Sequence, residues 1–166
     1  MNDETTQEQA AQAGQPGDRR FDIEKIYLKD VSFETTNTPD VFADKSPWQP
    51  DINIAIRTTV KKVTDEHHEV VLSITVTAKR DDSTIYLAEV HQAGVFAITG
   101  YTDEELGPIL GAYCPSTLFP FARQAIADLV WKGGFPQLLL GPINFDMMYE
   151  ERKRKTAAAR QQAESS

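Results

Sequence analysis

The chain has 166 residues, of which 40% are hydrophobic and 25% charged, and it carries a formal net charge of −8. These proportions are typical of an ordinary one-domain globular protein, and they exclude a membrane-embedded or wholly disordered chain. The single cysteine excludes an internal disulfide framework and indicates a reducing compartment.

The negative charge is concentrated in the middle of the chain. Residues 21–149 contain ten basic and eighteen acidic residues, whereas residues 150–166 contain five basic and three acidic ones. An acidic body argues against nucleic acid as a partner and for a basic partner. The alternative interpretation is that the charge only keeps the protein in solution.

The first 18 residues are polar, acidic and rich in Gln, Thr and Gly, which predicts a disordered arm. The arm has no apolar stretch of the kind found in a signal peptide. No apolar run elsewhere in the chain is as long as a membrane span. We therefore expect a cytoplasmic protein with no membrane insertion.

A first strand is predicted from Phe21 to Glu34. Its apolar alternation changes parity on the way, which predicts a β-bulge near Lys25. Beyond the bulge, Asp30 and Glu34 share one face of the strand. That polar face has two interpretations, a merely solvated surface or a surface that binds a partner.

A long loop is predicted for residues 35–51, which contain three prolines and follow no regular period. The loop carries Phe42 and Trp48, which a disordered linker would not need. Two interpretations are open: these aromatic side chains line a binding surface, or they fold into the core as a flap.

Three further strands are predicted from period-two patterns at residues 52–57, 69–78 and 84–98. Short connections between them predict an antiparallel meander. Gly94 is predicted to form a bulge within the last of these strands. Because the helical patterns follow the strands, the predicted class is α+β.

The first helical pattern is short. Thr102 and Glu105 form a capping box that begins it, and Gly107-Pro108 is predicted to interrupt it.

A long helix is predicted next, ending at Gly133-Gly134. Its apolar side chains cover more than one stripe, so burial on two sides is expected. The second side would be covered by another subunit or simply by the rest of the chain. The apolar positions are Leu118, Phe119, Phe121, Ala122, Ala125, Ile126, Leu129 and Val130.

Asn144 is predicted to cap a last helix that becomes basic and ragged beyond Glu150. The chain then divides into a disordered arm (1–18), one domain (19–149) and a final segment (150–166). The domain is a four-stranded antiparallel sheet followed by a long helix and a C-terminal helix. The final segment holds the end of the last helix and a flexible basic tail.

Cys114 is a candidate nucleophile, because it precedes Pro115 at the predicted mouth of the long helix. No histidine stands in a pattern that would make it the base, so a buried structural cysteine is favoured over a cysteine hydrolase. His67 and His68 are adjacent, which on a strand would point them to opposite faces, and they are interpreted as turn residues. We expect no catalytic residue, metal or cofactor.

Several stretches are specific enough to indicate a family: IYLKDVSFETTNTPDVF, WQP, EVVLSITVTA, LAEVHQAGVFAI, LGAYCPSTLFPFAR and GGFPQLLLGPINFD. In order and spacing, from Phe21 to Tyr149, the sequence resembles SecB, the protein-export chaperone family of Gram-negative bacteria. The resemblance implies a SecB-like fold and an ATP-independent holdase in the cytosol. Such a holdase keeps unfolded precursor proteins translocation-competent, forms a homotetramer (a dimer of dimers) and delivers cargo to the SecA motor.

The resemblance also implies roles for particular positions. SecA docks through a basic, zinc-bearing C-terminal segment on an acidic strand face, and the zinc belongs to that partner. The positions matching this face are Asp30, Glu34, Leu87 and Glu89. The proline-rich crossover loop walls the precursor-binding groove, which makes Phe42 and Trp48 the groove candidates. The long helix packs between dimers. Its matching interface positions are Leu118, Phe121, Ala125, Ile126 and Leu129.

Three features depart from the family pattern: the insertion ADKSP before WQP, the longer N-terminal arm, and the basic tail ERKRKTAAARQQAESS. No contact between this tail and SecA is carried over. An alternative within the resemblance is a general or toxin–antitoxin-linked chaperone with a dedicated client. The acidic positions favour the export role.

Overall fold

The computed structural model describes residues 18–164, so the predicted disordered arm lies outside the described residues except for its last position. Apart from one helical turn at residues 40–43, the strands come first and the helices last, which confirms the α+β class with a four-stranded antiparallel sheet. In chain order the elements are β1 (Arg20–Thr35), α1 (Asp40–Ala43), β2 (Asp51–Lys62), β3 (His67–Arg80), β4 (Ser83–Thr99), α2 (Asp103–Pro108), a π-helical segment (Ile109–Tyr113), α3 (Cys114–Lys132) and α4 (Phe145–Glu164).

The strand order is β1-β4-β3-β2, and every neighbouring pair is antiparallel. The predicted meander is confirmed for β2, β3 and β4, and β1, whose partner was not predicted, pairs with β4. Short turns fix β2, β3 and β4 as successive neighbours. The connection over residues 36–50, which we call the crossover loop, is long enough to join opposite edges of the sheet.

The pairing of β1 with β4 is interrupted twice, between Ile23 and Lys25 and between Leu28 and Asp30. The first interruption is the bulge predicted near Lys25, and the second was not predicted. Each bulge reverses the face to which the following side chains point. Beyond the second one, Phe33 packs against the core, whereas Asp30 lies on the opposite face.

The helices cover one face of the sheet and enclose the core. β3 contributes Val70, Leu72, Ile74 and Val76, which are fully buried as their period-two spacing predicts. α3 packs across β3 and β4 on this face. Burial of each such aliphatic side chain contributes about 1.5–3 kcal/mol, which makes this two-layer packing the main source of stability.

Gly94 lies in a regular part of β4, opposite Ile26 on β1 and Val70 on β3, so the bulge predicted there is wrong. A Cβ atom at this position would lie 2.8 Å from the Phe96 ring and 3.0 Å from a methyl group of Leu118. The close approach of α3 to the sheet therefore requires the glycine.

The capping box at the start of α2 is confirmed: Thr102 Oγ1 accepts from the Glu105 N–H, and the Glu105 carboxylate accepts from the Thr102 N–H. The interruption predicted at Gly107-Pro108 is wrong, because the helical backbone continues through the π-helical segment into α3. Within that segment the N–H of Cys114 donates to the carbonyl of Ile109. Proline has no N–H to donate within a helix, and the wider π-helical turn accommodates this missing hydrogen bond.

Asn144 caps α4 as predicted, since its Oδ1 accepts the N–H of Met147 at 3.0 Å. The helix does not fray at Glu150 but continues to Glu164, and residues 165–166 lie outside the described part of the chain. The physical reason is composition: after Glu150 the segment consists mainly of Ala, Arg, Lys, Gln and Glu, all strong helix formers.

Two aromatic side chains hold the start of α4 against the domain. The ring centroid of Phe145 lies 5.7 Å from that of Phe119 on α3. The ring of Tyr149 lies so close over Gly111 that a Cβ atom there would collide with it. From Glu150 onwards the described residues of α4 are all exposed, so the basic half of the helix projects from the domain.

Candidate functional site

Five aromatic side chains from separate parts of the chain meet at one end of the domain, and we call them the aromatic cluster. Phe135, just after α3, is at its centre. The centroid of its ring lies 5.0 Å from that of Tyr86, 5.3 Å from Phe42, 5.4 Å from Trp48 and 6.4 Å from Phe33. The structure thus brings together the two predicted groove residues, Phe42 and Trp48, around a residue that the sequence analysis missed.

The crossover loop is partly a core flap and partly an open apolar surface. Phe135 is 3% exposed, whereas Phe42 is 52% exposed at the rim of the cluster. Trp48 is half-buried, and the guanidinium of Arg80 lies 5.5 Å from its ring centroid. Arg80 in turn donates to Asp44 at 2.6 Å, which ties the loop to β3. Phe42 therefore presents the accessible apolar surface, and Trp48 forms the wall behind it.

The direction of Phe135 depends on the glycine before it. Gly134 has a φ of 85°, a left-handed conformation that favours glycine, at the end of α3. A Cβ atom on Gly134 would lie 3.2 Å from the Phe42 ring. The GGFP motif was the sequence signal that could have identified this position.

The four predicted acidic-face positions do share one face of the sheet, the face opposite the helices. Glu34 lies directly across from Leu87 in the β1–β4 register, and Asp30 lies across from His91, two residues beyond Glu89. Asp30 and Glu34 are exposed, and Leu87 and Glu89 are half-buried. We call Asp30, Glu34, Leu87 and Glu89 the acidic face.

His91 belongs to the same face, and the sequence analysis did not select it. Its Nε2 lies 2.6 Å from Oε1 of Glu89, and the hydroxyl of Thr75 donates to the other Glu89 oxygen at 3.2 Å. Asp30 uses one carboxylate oxygen to accept the N–H of Val31 at 2.9 Å. Glu89 is therefore held in place by neighbours on two strands, which presents its charge in a fixed position.

The five predicted interface residues of α3 fall into two groups. Leu118 and Ile126 are 0% exposed, because their side chains point into this chain's own core. These two side chains have no exposed surface that a second subunit could contact. The predicted interface on α3 is therefore limited to Phe121, Ala125 and Leu129. Phe121 is 50% exposed, and Ala125 and Leu129 are half-buried.

Cys114 is fully buried inside a continuous helical stretch and not at a helix N-terminus. Burial raises the pKa of its thiol to about 12. A thiol that stays protonated at neutral pH is a poor nucleophile. The geometry therefore favours the structural interpretation of this cysteine over the hydrolase.

The adjacent histidines are the first residues of β3, so their interpretation as turn residues is wrong. They do point to opposite faces: His67 Nε2 lies 3.1 Å from Glu24, whereas His68 is buried. Burial, with the nearby Lys62 and His67, lowers the pKa of His68.

Within residues 18–164, no group of three or more metal-ligating side chains lies close enough together to hold an ion. In the same residues, no helix combines the length and apolar character that crossing a membrane requires.

Comparison with known proteins gives a consistent result. The family model for preprotein translocase subunit SecB matches residues 12–156. The protein-export protein SecB of Nitrosococcus oceani is 48% identical over 159 residues, which cover 96% of each chain. That of Methylococcus capsulatus is 47% identical over 154 residues, which cover 93% of this chain and 96% of the relative.

A solved structure adds the fold. It is the SecB-like chaperone of Mycobacterium tuberculosis in complex with an antitoxin peptide, which aligns with a TM-score of 0.60 at 20% identity. The alignment covers 75% of this chain and 88% of that chain. Sequence relatives across nearly the whole chain and a shared fold lead to one conclusion: the chain belongs to the SecB family.

Proposed function

We propose that this protein is an ATP-independent export chaperone. It binds unfolded precursor proteins in the cytoplasm, keeps them competent for translocation and delivers them to SecA. The observation that carries the proposal is the aromatic cluster, where Phe42 leaves an apolar surface open on a wall of packed rings. The names of the relatives, protein-export protein SecB, agree with it.

The cluster suits a client without a fixed sequence. An unfolded segment exposes apolar side chains, and aromatic rings accept these without demanding one particular partner. Phe42 and Trp48 provide that contact, and the ring of Phe135 packs against both of their rings. Each contact is modest, so several linked sites are needed for tight binding of a long chain.

Linked sites are supplied by a homotetramer in this proposal. Its support is the apolar surface on α3: Phe121 is 50% exposed and Trp131 is 67% exposed. Large exposed aromatic side chains on a helix are typical of a surface that a second subunit covers.

Release needs no ATP if SecA competes for the loaded chaperone. The acidic face offers carboxylates on a flat sheet, and a basic segment is attracted to them over roughly 10 Å at 0.1 M salt. Because the acidic face and the helices lie on opposite sides of the sheet, SecA docking leaves the aromatic cluster accessible.

A toxin–antitoxin role is the weaker candidate. The chaperone that binds an antitoxin peptide shares 20% identity with this chain, whereas the relatives named for protein export share 47–48%. The export role is therefore preferred.

Binding of an unfolded protein tests the proposal. A labelled protein that has been reduced and alkylated so that it cannot refold should bind the wild type, while the same protein in its folded state should not. Phe42→Ala should weaken this binding about three- to tenfold with little loss of stability, since Phe42 is 52% exposed. Trp48→Ala should lower stability as well, by about 2 kcal/mol or more, because its ring packs against the core.

Fluorescence anisotropy measures the binding, and urea denaturation measures the stability. A wild type that ignores the unfolded protein would refute the chaperone function. Unchanged binding in Phe42→Ala would show that the client does not bind at the aromatic cluster.

A further inference from the structure

The open face of the sheet, the one opposite the helices, carries side chains in rows that run across β1, β4, β3 and β2. The row beside the crossover loop consists of Glu34, Leu87, Thr77 and Asn53. A row near the β2–β3 turn consists of Lys25, Val95, Glu69 and Lys61. Leu87 and Val95 are eight residues apart on β4, so the two rows lie about 27 Å from each other.

Carboxylates dominate the end beside the crossover loop. The acidic face places Glu34 in the first row, Glu89 in the second and Asp30 in the third. Arg57 lies in the same row as Asp30 but at the β2 edge, three strand spacings or about 14 Å away. The β1–β4 side of this end is therefore negative.

Lysines dominate the other end, and we call Lys25, Lys29 and Lys61 the lysine group. The Nζ of Lys29 lies 2.8 and 2.9 Å from the two carboxylate oxygens of Glu69, and the Tyr27 hydroxyl donates to the same carboxylate. These hydrogen bonds hold the pKa of Glu69 below its usual range. Lys25 and Lys61 are exposed, and among residues 18–164 no carboxylate lies within ion-pairing distance of either. Two cations at this end are thus free to bind an anion.

A neutral row separates the two ends. It consists of Tyr27, Ala93, Val71 and Thr59. Ala93 is 0% exposed and Val71 is 7% exposed, so this strip is closed as well as uncharged. Glu24, next to Lys25 in the chain, lies 3.1 Å from Nε2 of His67 and so already has a partner. The electrostatic potential of the open face therefore changes sign along the strands.

We propose that the open face is a docking surface for a dipolar protein segment, one that carries a block of Lys or Arg and a block of Asp or Glu about six extended residues apart. The basic block binds the acidic face, and the acidic block binds the lysine group. The spacing follows from the six residues between Glu89 and Val95, about 20 Å along β4. This inference rests on the proposed docking of a basic segment at the acidic face, and it adds an acidic element to that partner.

The segregated charges disfavour partners that carry one sign only. A segment that is basic throughout is attracted by the acidic face but repelled where it reaches the lysine group. A nucleic acid or an anionic membrane surface meets the opposite conflict, because the carboxylates repel it. A dipolar segment satisfies both ends in one orientation, so the face also fixes the direction in which the segment lies.

Three fluorescent peptides test the proposal. The dipolar peptide has three lysines, a six-residue Ser/Gly spacer and two aspartates. The basic peptide has serines in place of the aspartates, and the mixed peptide has the dipolar composition with its charges interspersed. Binding to the full chain is measured by anisotropy at 50 and 300 mM NaCl.

We expect the dipolar peptide to bind about fivefold more tightly than either of the others at 50 mM NaCl, and the difference to shrink at 300 mM. The protein has a net charge of −8, so attraction by net charge alone would favour the basic peptide instead. The two explanations therefore predict opposite orders of affinity.

Two double variants locate the effect. Lys25→Gln/Lys61→Gln should reverse the order and favour the basic peptide, because two cations that repel it are gone. Lys153→Gln/Arg154→Gln removes the same charge from the exposed half of α4 and should keep the preference for the dipolar peptide. Loss of the preference in this control as well would show that total charge governs binding, and it would overturn the inference.

The outcomes also separate this inference from the proposed function. If the basic peptide binds the wild type as tightly as the dipolar one, or more tightly, the dipolar surface is refuted and docking at the acidic face stands. If none of the three peptides binds the wild type, docking at the acidic face itself fails, and with it the proposed delivery to SecA.

Discussion

Single residues decide how closely the helical layer approaches the sheet. Gly94 leaves room for the Phe96 ring and for Leu118 of α3, each within about 3 Å of a Cβ atom that would be added there. Close-packed interiors do not absorb such an intrusion without shifting their side chains. The glycine of β4 is therefore a packing residue.

We predict that Gly94→Ala destabilises the protein by about 1–3 kcal/mol, the usual cost of overpacking a core. Urea denaturation measures the change. Gly141→Ala is the matched control, because nothing lies within 4 Å of the added Cβ atom there, and it should change stability by less than about 0.5 kcal/mol. Equal effects of the two substitutions would contradict the assigned packing role.

Cys114 should make stability depend on pH in the alkaline range. The pKa of its thiol is raised to about 12 by burial, whereas an unfolded thiol titrates near 8.5. Above about pH 8.5 the unfolded state loses a proton that the folded state keeps, so stability falls as pH rises. Below that pH this contribution is fully present.

The thiol's share of the decline is at most about 1.4 kcal/mol per pH unit. We expect Cys114→Ala to show a shallower decline between pH 8.5 and 10.5 than the wild type, in urea denaturation at each pH. Because the slopes are compared, the smaller side chain itself does not affect the result. Identical slopes would show that the thiol is not buried in the folded state.

At the scale of elements, the pairing of β1 with β4 creates the acidic face. The register places Glu34 across from Leu87, and the second bulge of β1 turns Asp30 to the same side. The proposed SecA docking surface therefore depends on two strands that are far apart in sequence.

We predict that Asp30→Asn/Glu34→Gln weakens binding of a basic C-terminal SecA peptide about five- to tenfold at 0.1 M salt, and less at 0.5 M. Binding of an unfolded client should stay unchanged. Isothermal titration calorimetry measures both. Asp81→Asn/Asp82→Asn removes the same charge from the β3–β4 turn and should have little effect. A similar loss of peptide binding in this control would show that the peptide responds to the net charge of the protein and not to the acidic face.

The strands also show how far the sequence could predict the fold. The bulge near Lys25 was visible as a change of parity, and the buried residues of β3 were visible as a period of two. The partner of β1 could not be predicted from the sequence, because the long loop after β1 does not determine which strand lies beside it. The bulge predicted at Gly94 is wrong because the glycine is required by a tertiary contact, and no local sequence pattern shows such a contact.

The candidate site was predicted in part for the same reason. Phe42 and Trp48 stood out as aromatic residues in a proline-rich loop. Phe135 did not, because its place in the cluster depends on the left-handed conformation of Gly134. On α3, apolar residues on several stripes could not reveal that Leu118 and Ile126 face this chain's own sheet.

At the scale of the whole molecule, three surfaces lie apart from one another. The aromatic cluster is at the end of the domain, the acidic face is on the open side of the sheet, and the basic half of α4 projects beyond the helices. Separate surfaces let a chaperone hold its client while a partner docks. The exposed aromatic residues of α3 would join several such units into one assembly.

Native mass spectrometry of the purified protein, with an unfolded precursor and with the same precursor folded, tests the tetramer and the holdase function together. We predict a species of four times 18.6 kDa that gains one unfolded precursor and does not gain the folded one. A monomer with no affinity for the unfolded chain would contradict both the assembly and the holdase function.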